Sequence, residues 1–344
     1  CYFPMSKFYR HDFKIENGKI SDTALDEYCC YFTAVFTRVK IKYSHTILSE
    51  HKMIFAKNPV YDNGKLVQAD AIKIMMTEVD YQNFSLFYTW HDCKIKNGKI
   101  AKRGKLPRYL TDLIKKYYIL KSDLKRDGKS GTLDYMLAKQ KLNSFYGMTV
   151  TKIVRIDNEF DNVTLQFHPV PSKKTWVKVR HSCFLSPFWG IWVTAHARNR
   201  LLTMIHAITK NSDGVSDVIY SDTDSVYVRN FDKHKKLIDD FNAHIMEKNK
   251  NLPEVFKTLG TFENDGVHDK FKCLGAKRYM YMDGCILHAT IAGVKGDVFI
   301  DQMPKCKDPF AYFDLYNTYL LDMDVSQKRA HSYFPRKNEY PENT

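Results

Sequence analysis

The 344-residue sequence lacks the long apolar runs, the glycine- or proline-rich tracts and the cysteine patterns that define several classes of protein. No stretch of about 18 apolar residues occurs, and the longest, around 184–197, is broken by Ser186 and Pro187. The 15 glycines and 11 prolines are too few for a fibrous or low-complexity chain. The eight cysteines form no C-x-x-C pair, and no histidine stands at zinc-finger spacing from them, so free thiols in a reducing compartment are expected. We therefore predict a soluble cytoplasmic protein with no membrane partner.

The sequence also has fewer acidic than basic residues. The chain has 53 lysines and arginines against 39 aspartates and glutamates, a formal net charge of +14. This surplus favours a polyanionic partner, because each phosphate that a basic side chain neutralises releases condensed counterions, and such binding weakens steeply with salt. A basic soluble protein without a nucleic-acid partner is the alternative. The length and the 44% of hydrophobic residues allow two or three domains.

Three Asn-Gly pairs, at 17–18, 63–64 and 97–98, lie between stretches rich in lysine, isoleucine, valine and tyrosine. Such pairs are the strongest short-range signal for a β-hairpin with a tight primed turn. Two of them occur in nearly the same phrase, HDFKIENGKI at 11–20 and HDCKIKNGKI at 91–100. We expect two similar hairpins there.

After Pro107 the apolar residues recur at helical spacing, and a second such stretch covers 133–146. We predict two antiparallel helices with a basic turn at 121–129. Alternation of apolar and polar residues across 151–182 predicts a projecting strand pair that bends at Pro169 and Pro171. The remaining predictions are a helix at 189–209, strands at 218–220 and 226–228, a helix at 235–248 and a loose tail from Ser326.

The segment 218–228, VIYSDTDSVYV, places two β-branched runs on either side of a short acidic turn. Phosphoryl transfer with Mg²⁺ needs hard oxygen ligands on a rigid element. Two such ions about 3.5–4 Å apart can activate an attacking hydroxyl and neutralise a leaving pyrophosphate. Asp222 and Asp224 are therefore candidate metal ligands, and a solvated Asp-rich turn is the alternative.

The segment 139–147, KQKLNSFYG, places Lys139, Asn143 and Tyr146 on one face of a helix. A cation, an amide and an aromatic ring in one stripe can bind a triphosphate, a polar edge and a base or sugar face. A half-buried amphipathic helix with an exposed lysine is the alternative, and such stripes are common.

Taken together, the two segments resemble a known family. K-x-x-x-N-S-x-Y-G followed by Y-x-D-T-D-S is similar to motifs B and C of the family-B DNA polymerases, and 277–279, KRY, resembles their K-x-Y motif. The phrases TEVD at 77–80 and T-x-x-A-R at 194–198 resemble segments of the protein-primed branch, found in phages and linear plasmids.

The resemblance implies an α+β fold with an antiparallel palm sheet, two-helix fingers and a β-rich thumb. Its expected parts are a palm portion with a β-rich insertion (1–105), fingers with motif B (106–147), a β-hairpin insertion that encircles the template (148–186), a second palm portion with motif C (187–262), and a thumb with a C-terminal tail (263–344). It also implies a DNA-directed DNA polymerase that adds dNTPs to a primer 3′-hydroxyl or a terminal-protein hydroxyl. Two Mg²⁺ ions, or Mn²⁺ in their place, would be the cofactors, and the expected location is the cytoplasm of an infected or plasmid-bearing host cell.

Roles for single residues follow from the same resemblance. Asp224 would be the main catalytic metal ligand, with Asp222 auxiliary. Lys139 would bind the phosphates of the nucleotide, and Asn143 and Tyr146 would shape the pocket for the new base pair. The residues expected to hold primer-template DNA are Gly147, Thr194, Arg198, Lys277 and Tyr279. Lys121 would be a second phosphate-binding lysine, with a solvated surface lysine as an equal alternative.

The first residues, CYFP, resemble the end of motif A, D-x-x-S-L-Y-P, with only Pro4 unchanged. We therefore expect a fragment whose motif A aspartate lies three residues before Cys1, and whose exonuclease domain is likewise upstream. Phe3 would occupy the steric-gate position, where a flat ring excludes a 2′-hydroxyl. A core aromatic is the alternative for Phe3.

Two other classes compete with this interpretation. Reverse transcriptases carry two adjacent aspartates after a tyrosine, whereas Thr223 separates Asp222 from Asp224 here, and the K-x-x-x-N-S-x-Y-G helix is foreign to them. A catalytically silent nucleic-acid-binding protein that kept the polymerase fold is the second alternative. Retention of Asp222, Asp224 and Lys139 argues against it.

Overall fold

The structure is a computed structural model that describes residues 1–150, 157–170, 186–303 and 308–318. These residues form two compact units. The first comprises Cys1–Asp217 and Asp232–Gly260, and the second comprises Val218–Phe231 with the described part of Thr261–Thr344. Both contain helices and antiparallel sheets, so the predicted α+β class is confirmed in its coarse form.

An eight-stranded antiparallel sheet organises the first unit. Its strands are β1 (Phe3–Pro4), β2 (Tyr9–Arg10), β5 (Tyr28–Ile41), β6 (Met53–Lys57), β7 (Val60–Asp62), β8 (Lys65–Thr77), β9 (Tyr88–Thr89) and β10 (Asp92–Gly104), and a separate small ribbon contains β3 (Ile15–Glu16) and β4 (Lys19–Ile20). The main path runs β1-β10-β5-β8-β6. On β5, Phe32, Ala34 and Phe36 are fully buried at alternate positions, as expected for one covered face of a sheet.

Two short helices border this sheet, α1 (Ala24–Glu27) and α2 (Glu78–Phe87). A capping box fixes the start of α2, since the Thr77 hydroxyl accepts the Asp80 backbone N–H and the Asp80 carboxylate accepts the Thr77 N–H. The ring of Phe84 on α2 lies 4.7 Å from that of Phe36 on β5. The TEVD phrase is therefore a helix start that packs on the sheet.

Only two of the three Asn-Gly pairs form hairpins. Positive φ angles of 50° and 70° at 17–18 and of 45° and 72° at 63–64 give the expected primed turns. The hairpin prediction at 97–98 is wrong, because β10 continues through the pair with a shift of register. The backbone of His11 explains the difference: its N–H donates to the carbonyl of Gly98 at 2.9 Å, and the Phe13 ring lies so close that a Cβ on Gly98 would be 2.8 Å from it.

The helical predictions are confirmed. The helices of the first unit after the sheet are α3 (Arg108–Arg126), α4 (Leu133–Val150), α5 (Pro187–Lys210), α6 (Phe231–Lys248) and α7 (Glu254–Lys257). Gly128, at φ 72°, reverses the chain between α3 and α4. Gly190 on α5 faces Thr149 on α4 with no room for a Cβ, so these two helices cross closely.

A strand pair does occur after α4, but within 157–170, as β11 (Asp157–Asp161) and β12 (Gln166–Val170). Its bend lies at 162–165, so the bend predicted at Pro169 was wrong: Pro169 pairs with Asn158 within the ladder. The Asp161 carboxylate makes the turn by accepting the Val163 N–H at 2.8 Å and the Thr164 hydroxyl at 3.0 Å. Pro171 and the rest of 151–182 lie outside the described residues.

The second unit contains the acidic hairpin, β13 (Val218–Asp222) and β14 (Ser225–Val228), as predicted. A three-stranded antiparallel sheet follows, made of β15 (Lys270–Gly275), β16 (Arg278–Asp283) and β17 (Ile286–Ile291). The helices α8 (Gly296–Gln302) and α9 (Pro309–Thr318) accompany it. The buried core of this unit contains Met280, Ile291, Phe299, Phe310 and Phe313. The tail predicted from Ser326 lies outside the described residues.

Candidate active site

The acidic hairpin turns through only two residues, Thr223 and Asp224, because Asp222 pairs with Ser225. Thr223 takes a positive φ of 56°, and the Asp224 N–H donates to the carbonyl of Asp222 at 2.6 Å. Both carboxylates therefore stand at the tip of a tight β-hairpin, with Asp224 exposed. A short ladder of this kind holds side chains more rigidly than a loop does.

Lys277 is the immediate neighbour of this tip. Its ammonium forms a hydrogen bond and ion pair with Oδ2 of Asp222, while its backbone N–H donates to the Tyr220 hydroxyl at 2.9 Å. The hydrogen bond from Lys277 lowers the pKa of the Asp222 carboxyl, so this group is anionic at neutral pH. The structure thus brings together motif C and K-x-Y, two phrases that the sequence places far apart.

An aromatic cluster supports this arrangement. Tyr279, from K-x-Y, lies 5.0 Å from Tyr220 between ring centroids, and its hydroxyl is 3.5 Å from that of Tyr227. Phe271 stacks on Tyr227 at 4.7 Å. Burial raises the pKa of Tyr220 and of Tyr227, so both of these phenols stay neutral. The cluster was not predicted, although tyrosines at 279 and 281, two apart on one strand, were a signal for one aromatic sheet face.

On α4, Lys139 and Asn143 line one side of an open cleft of about 440 Å³, together with Met136, Gln140 and Ser144. The predicted stripe therefore has a free surface at its first two positions. Tyr146 lies beyond that lining and is 39% exposed. On the same helix, a Cβ at Gly147 would meet nothing within 4 Å, so that position also borders open space.

Lys121 lies on α3, half-exposed, with its ammonium 5.9 Å from the centre of the Tyr118 ring. This is a cation–π distance, which a solvated surface lysine can adopt as readily as a phosphate-binding one. The two interpretations of Lys121 both stay open.

Two further phrases meet at α5. The Arg198 guanidinium donates to the carboxylate of Asp80, the residue that completes the α2 capping box, at 2.8 Å. The Thr194 hydroxyl, four residues earlier, donates to the carbonyl of Ile191 at 2.8 Å. Arg198 keeps 39% of its side chain exposed, so part of this side chain is accessible to a ligand. The contact between TEVD and T-x-x-A-R was not predicted.

Glu78 is a buried carboxylate in the TEVD phrase, to which the sequence assigned no role of its own. It is 2% exposed and accepts hydrogen bonds from Trp192 Nε1 and from the backbone N–H of Cys30, each at 2.8 Å. The Arg103 guanidinium lies 3.7 Å away. Burial raises the pKa of the Glu78 carboxyl. Glu78 thereby joins α2, α5 and the sheet through polar contacts.

Phe3 is 9% exposed and packs beside Cys29 and Trp192. Its strand, β1, pairs with β10, and the His196 ring approaches it edge-on at 6.2 Å between centroids. This buried position fits the alternative interpretation of Phe3 as a core aromatic residue. The gate role stays a prediction.

The described residues include two candidate metal ligands and several cysteines. Within the described parts of the chain, no three histidine, cysteine, aspartate or glutamate side chains are grouped to hold a metal ion. Asp222 and Asp224 are a two-carboxylate set, whose hard oxygens fit Mg²⁺ or Mn²⁺ when further oxygens come from a nucleotide and water. The described cysteines are free thiols, as predicted, and burial raises the pKa of Cys29 and Cys93 to about 12, so neither is a ready nucleophile.

No family model matches the chain, and neither does any curated protein sequence. The fold does match solved structures, and the resemblance predicted from the motifs is confirmed at the level of the fold. Structures of Phi29 DNA polymerase, a protein-primed family-B enzyme, are among those that match. Its complex with primer-template DNA and incoming nucleotides has a TM-score of 0.58 at 15% identity, covering 88% of this chain and 49% of that one. Its complex with single-stranded DNA gives 0.58 at 16%, with the same coverage.

The orthorhombic crystal form of Phi29 DNA polymerase gives a TM-score of 0.55 at 16% identity, covering 88% of this chain and 48% of that one. This chain therefore spans about half the length of the polymerases it matches. Among its described helices, none has both the length and the apolar character that crossing a membrane requires.

Proposed function

We propose that the chain is the nucleotide-adding core of a DNA polymerase that extends a primer 3′-hydroxyl, or a terminal-protein hydroxyl, with dNTPs. The observation that carries this proposal is the pair of carboxylates, Asp222 and Asp224, on a two-residue hairpin turn in a chain with a polymerase fold. Phi29 DNA polymerase forms complexes with primer-template DNA and incoming nucleotides. The same ligands are proposed here.

The parts of the fold take the following proposed roles. The α3–α4 pair would be the fingers, the large sheet with α5 the palm, the strand pair at 157–170 part of an insertion around the template, and the sheet β15–β17 the thumb. Two Mg²⁺ ions, or Mn²⁺, would polarise the attacking hydroxyl and neutralise the leaving pyrophosphate. Asp224 would be their main ligand here and Asp222 the second.

The nucleotide would lie against the cleft on α4. Its triphosphate would bind Lys139, and Asn143 and Tyr146 would border the new base pair. The DNA would contact Gly147, Thr194, Arg198, Lys277 and Tyr279. The partial exposure of the Arg198 side chain supports this, because an arginine already oriented by a carboxylate can offer its other N–H groups to a phosphate.

The test is Mg²⁺-dependent primer extension by the protein at its full natural length, measured in single turnovers. Asp224→Asn keeps the shape of the side chain but removes its charge. Loss of a metal ligand is worth several kcal/mol, so the rate should fall by about 10²–10³-fold. Asp265→Asn, at an exposed position in the same unit, is the matched control and should extend at the parental rate.

Two outcomes would contradict the proposal. Extension by Asp224→Asn at the parental rate would remove the metal assignment. Salt-sensitive binding of primer-template DNA without extension in Mg²⁺ or Mn²⁺ would instead favour the catalytically silent alternative.

A further inference from the structure

Lys277 and Asp222 contact each other in the structure, although the proposed function gives each a different ligand. Lys277 is expected to bind DNA and Asp222 a metal ion. Oδ2 of Asp222 accepts the Lys277 ammonium, and Oδ1 accepts the Thr223 hydroxyl at 3.0 Å. Each oxygen of the auxiliary carboxylate therefore already has a partner, whereas Asp224 makes no side-chain hydrogen bond or ion pair within the described residues.

The position of Lys277 is set by its backbone and not by its ion pair. Its N–H donates to Tyr220, two residues before Asp222, and its carbonyl accepts the N–H of Ala292 at 2.8 Å. The residue takes a positive φ of 53° in the tight connection between β15 and β16. If the ammonium leaves the carboxylate, the side chain therefore stays beside the hairpin tip.

We propose that Lys277 holds the Asp222 carboxylate in the metal-free protein, and that it exchanges this carboxylate for a DNA phosphate when a divalent cation binds. One carboxylate oxygen cannot serve the ammonium and a metal ion together at full strength, because two cations in contact repel each other. Lys277 is thus a coupling residue between two ligands. The inference rests on the proposed function.

The pair is weak enough to be exchanged. Its side chains are 57% and 23% exposed, and ion pairs at such positions contribute modestly because water screens them. Competition by Lys277 should therefore weaken metal binding by about two- to fivefold and no more. By reciprocity, the metal should strengthen DNA binding by the same factor, because each ligand removes the competitor of the other.

The experiment measures Mn²⁺ binding to the 344-residue chain by electron paramagnetic resonance of the free ion, without DNA. Lys277→Met should tighten Mn²⁺ binding by about two- to fivefold. Lys277→Arg, which keeps the charge and the donors, should bind as the parent does. Lys270→Met is the matched control for the loss of one positive charge, since Lys270 pairs with Asp308 in the same unit. Near-ultraviolet circular dichroism of the tyrosine cluster verifies the fold of each variant.

A second measurement uses a short primer-template duplex with and without Mn²⁺. Mn²⁺ should strengthen DNA binding by the parent and by Lys270→Met, and the part due to Lys277 should disappear in Lys277→Met. If folded Lys277→Met binds Mn²⁺ with the parental affinity, and Mn²⁺ binding still requires Asp224, the exchange is overturned but the proposed metal site is not. Mn²⁺ binding that Asp224→Asn leaves intact would overturn the proposed metal site, and the exchange with it.

Discussion

Replacing Phe3 by alanine tests whether this ring is part of the core. Phe3 is 9% exposed and contacts Cys29 and Trp192, both of which are fully buried. Burial of a phenylalanine side chain stabilises a fold by about 1.5–3 kcal/mol. The cavity that alanine leaves increases the loss, and typical costs are about 3–5 kcal/mol. Because β1 has only two residues and can partly collapse, we expect the lower end, about 3 kcal/mol.

The assay is urea unfolding followed by tryptophan fluorescence, to which Trp189 and Trp192 next to the site contribute. Tyr9→Ala is the matched control, because this ring is also on a two-residue strand but is 63% exposed. It should change the free energy of unfolding by less than about 0.5 kcal/mol. A loss below about 1 kcal/mol for Phe3→Ala would refute the packing argument.

The same variant separates the two roles considered for Phe3. A steric gate predicts that Phe3→Ala incorporates ribonucleotides more readily, since the ring no longer blocks the 2′-hydroxyl. A purely structural role predicts lower stability with unchanged discrimination between deoxy- and ribonucleotides. Extension assays with each nucleotide, run well below the unfolding temperature, distinguish these results.

Two further predictions concern buried contacts. Burial raises the pKa of Glu78 above its ordinary value of 4.5, so the folded chain keeps this proton at a pH where the unfolded chain has lost it. The stabilising contribution of Glu78 is therefore complete below about pH 4.5 and is lost as pH rises through the folded pKa. In a plot of the urea midpoint against pH, Glu78→Gln should reduce the fall in stability over this range. An unchanged slope in the variant would contradict the prediction. Gly98→Ala should cost about 1–3 kcal/mol because its Cβ meets the backbone carbonyl oxygen of His11 and the Phe13 ring. Gly64→Ala, with open space but a φ of 72°, should cost only about 1 kcal/mol, and equal losses in urea unfolding would show that crowding at Gly98 is absorbed.

Much of the fold follows from local patterns. The helices after Pro107 and around 187–210 have apolar residues at helical spacing, and turns or a helix-starting proline mark their limits. The hairpin at 218–228 is equally local, since two β-branched runs flank a two-residue turn. In these cases the nearest residues in sequence decide the structure.

Local sequence patterns give the wrong structure where contacts with a distant segment determine the conformation. The phrases at 11–20 and 91–100 are nearly the same, yet only the first turns at its Asn-Gly pair. Strand β2 pairs with β10 at Lys99 and Ile100, and the N–H of His11 donates a hydrogen bond to the carbonyl of Gly98. These hydrogen bonds favour an extended strand through the second phrase over a turn. No feature inside either phrase reports which one will have that neighbour.

The candidate site shows the same division. The sequence alone was enough to select four candidate residues, because each stands in a motif whose spacing indicates its chemistry: Asp222, Asp224, Lys139 and Asn143. Glu78 could not be selected in this way, because its importance lies in burial against Trp192, a residue 114 positions away along the chain. A buried carboxylate looks like a surface one until its surroundings are known.

The contact between Lys277 and Asp222 was also not predictable from the motifs, and it affects the roles proposed for both residues. Motif resemblance assigns roles one residue at a time, and it treats the lysine and the aspartate as parts of different sites. The structure makes them partners, so the roles proposed for them depend on one another. A variant of either residue should therefore alter both metal and DNA binding, whereas independent sites would let each be altered alone.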